Sequence, residues 1–212
     1  MHEIVCSIIE GVCAIIAAIS ATMLGTSKLT NIINRNSYLI NYAESSFKAC
    51  EIMQKAKERI IIVVVYGDNF LMEYEEYLIS YMKRGVKIEF LMLEANKAYN
   101  FVKSMKLNRN NNMKNASNKT NQRLRRLANY DLMEIRTTKE HITASYIAVD
   151  IDRKNENWRK SAAIQMMVYQ KGIESKELPI IYLNPKKNVK FFENTVKCIQ
   201  SMWNNGTPWE VS

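Results

Sequence analysis

The side chains best suited to acid–base or metal chemistry are few: two histidines, His2 and His141, and four cysteines, Cys6, Cys13, Cys50 and Cys198, among 212 residues. A mechanism that uses two histidines of one chain is therefore not expected. The cysteines show no Cys-x-x-Cys spacing and no neighbouring histidine, so neither a zinc site nor a disulfide framework is predicted, and they read as reduced thiols. No cofactor and no metal are expected. Lys119, Arg123, Arg125 and Arg126 form a small basic cluster, and guanidinium groups match the oxygens of a phosphate-bearing ligand or a lipid headgroup. Arg123 and Arg126 are candidate ligand-binding residues on that ground, although a solvated helix face fits the same spacing.

The formal net charge is +9, which favours anionic surroundings and says nothing about fold. Seven asparagines fall between Asn108 and Asn121, a bias that reads as an AT-rich microbial or phage genome. At this length one well-packed domain with an appendage is expected.

Residues 4–24, IVCSIIEGVCAIIAAISATML, contain one charge, Glu10. At ~1.5 Å per residue they match a ~30 Å hydrocarbon core. Lys28, Arg35 and Lys48 follow this stretch and no Lys or Arg precedes it, so the positive-inside rule predicts a single-pass membrane protein with its large domain in the cytoplasm. A buried helix of a soluble protein is the alternative, for which Glu10 and the many alanines argue. The expected organisation is an anchor over 1–27, a linker over 28–36 and one domain over 37–212.

Within that domain the pattern alternates. Leu39, Tyr42, Ala43, Phe47, Cys50 and Met53 recur at helical spacing over 37–58. Residues 60–65, IIIVVV, read as a strand buried on both faces. A helix over 70–84 stops at Gly85, and residues 86–93 form the next strand, so these two strands should be parallel. A helix over 95–107, a polar loop over 108–120 and a short helix over 121–130 come next. Strands over 131–138, 142–150, 161–169 and 178–183 precede a closing helix over 188–206, which Pro208 follows. The predicted fold class is α/β, a mixed sheet flanked by helices.

The order AKERIIIVVVYG, YMKRGVKIEFLML, TTKEHITASYIAVD and SMWNNGTPW resembles one half of a phospholipase D-like domain, with Arg84-Gly85 at the family's turn from helix into core strand. The resemblance covers residues 37–209. It looks closest to the phospholipase D-like domains of unknown function attached to bacterial helix-turn-helix regulators and membrane helices. Active members of the family carry a histidine, a lysine two residues on, and an aspartate five after the lysine. Residues two apart on a strand share a face, so the histidine attacks a phosphate while the lysine neutralises its oxygens. Counting back from Asp150, the lysine position is Ser145 and the histidine position Thr143. The resemblance thus implies a degenerate site, with Thr143, Ser145 and Asp150 as a remnant ligand pocket. His141 shares the strand parity and is the one candidate for a displaced nucleophile. Because the family's fold is ordinarily completed by a second half, a two-fold homodimer paired near residues 143–150 is expected.

Three functions follow. The first is a non-enzymatic membrane-anchored sensor or effector in bacterial signalling or anti-phage defence, binding a nucleotide or other phosphate-containing ligand. The second is a phosphodiesterase or nuclease that uses His141. The third is a membrane-tethered protein-interaction module. Nucleic acid ranks below a small ligand as partner, since basic residues beside a membrane helix already have an anionic surface to face.

Overall fold

Ile60, Ile61, Ile62 and Val63 are completely buried, as a β-branched run covered on both faces must be. Each such side chain contributes roughly 1.5–3 kcal/mol by leaving water. In the computed structural model the described residues are 38–40, 45–105, 113–151, 161–171, 173, 178–186 and 189–210, with side chains described from 49 onward and, in the helix over 113–127, from 118. The chain divides into two units, Met1–Asn36 and Ser37–Ser212, and all described residues belong to the second. The expected anchor and linker lie outside the described residues. Among the described residues no helix is long and apolar enough to cross a membrane.

The elements are β1 (Tyr38–Ile40), α1 (Ser45–Gln54), β2 (Arg59–Val64), α2 (Asp68–Lys83), β3 (Lys87–Leu93), α3 (Ala95–Ser104), α4 (Met113–Leu127), β4 (Met133–Thr138), β5 (Ala144–Val149), β6 (Ala163–Val168), β7 (Ile180–Leu183), α5 (Val189–Asn204) and β8 (Thr207–Pro208). They build an eight-stranded sheet in the order β1-β7-β6-β5-β2-β3-β4-β8. β2, β3 and β4 are parallel neighbours, with Ile62 opposite Phe90 and Phe90 opposite Ile135. The remaining pairs are antiparallel, β5 running against β2 with Val63 opposite Tyr146. The sheet is mixed, as the sequence predicts, and β2-α2-β3 is the expected parallel unit.

Alternation along the strands divides the core into two layers. Ile61, Val63, Leu91, Tyr146 and Ala148 pack with α3 and α5 on one face. Ile60, Ile62, Phe90, Ile147 and Val149 pack with α1, α2 and α4 on the other. Gly85, at φ 86°, takes the left-handed turn between α2 and β3, a conformation that an L side chain would strain. At the lower end of the parallel strands Glu89, 2% exposed, is held by Arg59 and by Lys87 at 2.9 Å. Lys87 also bridges to Glu134, whose other oxygen meets Arg136 at 2.7 Å. These diagonals relieve the like charges that the register sets side by side, Glu89 opposite Glu134.

Two expectations require correction. Residues 38–40 form an edge strand where helical spacing predicted a helix: Tyr38 pairs with Tyr182 and Ile40 with Ile180, and the aromatic and β-branched types suit that pairing. The predicted loop over 108–120 gives way to helix from Met113. The described inner face of α4 begins with a threonine, Thr120, 4% exposed, so hydrophobic periodicity does not reveal the first turns.

Candidate functional site

The strand preceding Asp150 begins beside the C-terminal end of β2 and ends beside its N-terminal end, because β5 runs antiparallel to it. Thr143 and Asp150 are seven positions apart, which on a strand is about 23 Å. The expected pocket is therefore split. His141, Thr143 and Ser145 stand at the end where the parallel strands terminate. Asp150 stands at the far end, where its Oδ1 accepts from the amides of Glu58 and Arg59 and its Oδ2 from that of Lys57, each at 3.0 Å. The residue is 6% exposed and sits at φ 47°, a left-handed conformation that aspartate tolerates better than most residues. Its carboxylate closes the turn from α1 into β2.

At the first end, Thr143 is exposed and Ser145 partly so. The Ser145 hydroxyl hydrogen-bonds that of Tyr169, and the amide of Tyr169 donates to the Thr143 carbonyl at 3.3 Å. The Tyr146 phenol lies near enough to Thr143 for the two to interact electrostatically. Burial pushes that phenol up from its ordinary value, the nearby Cys198 thiol adds to the shift, and Thr143 opposes it. Tyr146 is thus a protonated donor at neutral pH rather than a base. Phe101, from α3, lies 5.5 Å from the His141 ring and 5.1 Å, edge-on, from that of Tyr169. His141 itself is exposed.

This cluster offers hydroxyls that donate and accept toward a phosphate or sugar oxygen. Thr143 and Ser145 supply no nucleophile with a cation beside it on the same strand face. Among the described residues no group of three or more His, Cys, Asp or Glu could hold a metal ion.

Arg123 and Arg126 close on a different partner. Arg126 clamps Glu75 of α2 with two hydrogen bonds of 2.8 Å, and the Arg123 Nε lies 3.9 Å from the same carboxylate. Glu75 is 9% exposed, so Arg126 fastens α4 to α2, with Arg123 near enough for an ion pair but without a hydrogen bond from its Nε. Sequence reasoning missed Phe101, Tyr146 and Tyr169. Tyr169 ends a strand visible in the sequence, but its place across from Thr143 follows from the β5–β6 register, Ser145 opposite Met167, which spacing alone does not give.

Fold and site together define an α/β domain whose mixed sheet, flanked by helices, carries a hydroxyl-lined strand end. No protein-family profile matches the chain, and no curated protein matches it in sequence. Among solved structures it is similar to TrmBL2, an archaeal chromatin protein with a novel mode of DNA binding, with a TM-score of 0.52 and 10% identity over 91% of this chain. The chain spans 64% of that protein's length. It is also similar to Nuc from Salmonella typhimurium, a phospholipase D family member, with a TM-score of 0.48 and 15% identity, covering 82% of this chain and 97% of Nuc. NucT from Helicobacter pylori gives 0.48 and 10% identity, covering 82% and 98%. At 10% identity the likeness to TrmBL2 is one of fold alone.

Proposed function

We propose that this chain is a membrane-anchored, catalytically degenerate phospholipase D-like sensor or effector that binds a phosphate-containing ligand, in bacterial signalling or anti-phage defence. The observation that carries the reading is the group of hydroxyls at the strand end, where Thr143 and Ser145 stand in the positions that the family resemblance reserves for histidine and lysine and Ser145 hydrogen-bonds Tyr169. Hydroxyls bind phosphate oxygens without displacing anything from phosphorus, so recognition survives while turnover does not. Asp150 and Arg126 leave the ligand set in this reading, since backbone amides and Glu75 engage them, and Arg123 leaves it because its Nε is turned toward the same Glu75, 3.9 Å away. Anchoring rests on residues 4–24 and their length.

The test is mass spectrometry of small molecules released from the purified full-length protein, paired with an assay on a generic phosphodiester. A co-purifying phosphorylated compound is expected, bound at least tenfold more weakly by Thr143→Val, with no hydrolysis. One observation favours a second reading: the exposed His141 ring is steadied by Phe101. Hydrolysis abolished by His141→Ala would replace the sensor with a phosphodiesterase.

A further inference from the structure

The charge of +9 is not spread over the chain. Residues 95–130 hold nine of the 30 Lys and Arg and none of the 21 Asp and Glu, so the remaining 176 residues carry 21 of each sign. The whole excess lies in the stretch that contains α3 and α4. On α4 the described exposed positions include Asn118, Lys119, Gln122 and Arg125, spaced so that they form one stripe along the helix. Leu124 and Leu127 are completely buried behind it. The helix has no carboxylate of its own, and Glu75 engages it from the inner flank, through Arg126 and Arg123.

The character of the stripe selects its partner. A helix lying in a membrane surface needs apolar side chains directed into the acyl region, and none of the exposed large hydrophobic residues of the described structure belongs to α4. A small ligand needs concavity, which the outer face of a helix does not offer. Cations interleaved with amides suit an extended polyanion, the cations meeting phosphates and the amides meeting phosphate or sugar oxygens. We propose that the solvent face of α4 is a sequence-independent nucleic-acid-binding surface that follows the sugar–phosphate backbone. This surface uses none of the hydroxyl residues, and neither proposal depends on the other.

The test uses full-length protein in mild detergent and fluorescence anisotropy with labelled single-stranded RNA and duplex DNA of about 20 nucleotides per strand. Binding at about 50 mM salt is expected to weaken toward about 200 mM, with a log–log slope of about −2 to −4, as a handful of phosphate contacts would give. Lys119→Glu with Arg125→Glu should lower affinity at least tenfold, and Lys119→Gln with Arg125→Gln by an intermediate factor. The two side chains are exposed, so both variants should remain folded at the assay temperature, which their melting curves check. Lys171→Glu with Lys186→Glu, at exposed lysines outside the basic stretch, should change affinity less than twofold. If either reversal variant melts early, the glutamine pair alone decides. No binding at the lower salt, or equal loss in the control pair, would overturn the proposal. So would attachment to phosphatidylserine vesicles that the α4 variants abolish while nucleic acid does not bind.

Discussion

An aspartate held at φ 47° with both carboxylate oxygens turned onto three consecutive amides serves the backbone before any ligand. Those part-buried amides would otherwise lack a protein acceptor, each loss costing at most on the order of 1–3 kcal/mol. Asp150→Ala removes the acceptors and leaves a side chain that disfavours positive φ, so a loss of roughly 2–4 kcal/mol in unfolding free energy is expected, measured by urea titration. Affinity for whatever binds at Thr143 should be unchanged. A variant that keeps its stability but loses the ligand would return Asp150 to the pocket. The sequence shows that a strand ends at Asp150. It does not show that the amide of Lys57, 93 positions earlier, reaches its carboxylate, because only the pairing of β2 with β5 brings the two together. Thr143 and Ser145 are legible for the opposite reason: their shared strand face is read by counting along one strand.

At the scale of elements, the buried strands β2 and β3 were readable because every residue of 60–64 and 88–93 leaves water, and no other local structure suits such a β-branched and apolar run as well. α4 was half readable. Leu124 and Leu127 announce its last turns, while its earlier described contact is Thr120, whose methyl lies where a side chain on Gly67 would have to go, 3.2 Å from that position. The fastening of α4 is polar, and polar partners carry no periodicity. Removing one side of that fastening is unequal to removing the other. Arg126→Ala leaves the buried Glu75 carboxylate with Arg123 alone at 3.9 Å, a loss on the order of 1–3 kcal/mol. Glu75→Ala leaves an arginine side chain already 62% exposed, which water can satisfy. The double variant should therefore be more stable than the sum of the single losses implies, by at least about 0.5 kcal/mol in a thermodynamic cycle. Strict additivity would mean that the clamp contributes nothing to how α4 is held.

For the molecule as a whole, the two ends of the sheet limit how a second copy can join. β1 has three residues and β8 two, one of them Pro208, which has no amide to donate. The amide of Trp209 donates to the Ile135 carbonyl at 3.0 Å and so occupies more of the β4 edge. Edges this short are poor templates for pairing between chains. A two-fold partner is better placed against the strand ends that carry His141, Thr143 and Tyr169, where a second copy would face an identical hydroxyl cluster across the axis. Asp150, at the other end, would lie away from that contact, which narrows the interface expected over 143–150 to its first residues. A fragment spanning residues 37–212 should sediment as a dimer at tens of micromolar. Thr143→Arg should shift it to monomer with little change in melting temperature, since Thr143 is exposed and a guanidinium facing its own symmetry mate is repelled. Thr207→Lys, on the outer strand β8, should leave the dimer intact. A fragment that is monomeric throughout, or a dimer broken by Thr207→Lys and indifferent to Thr143→Arg, would show that association does not run through the strand ends.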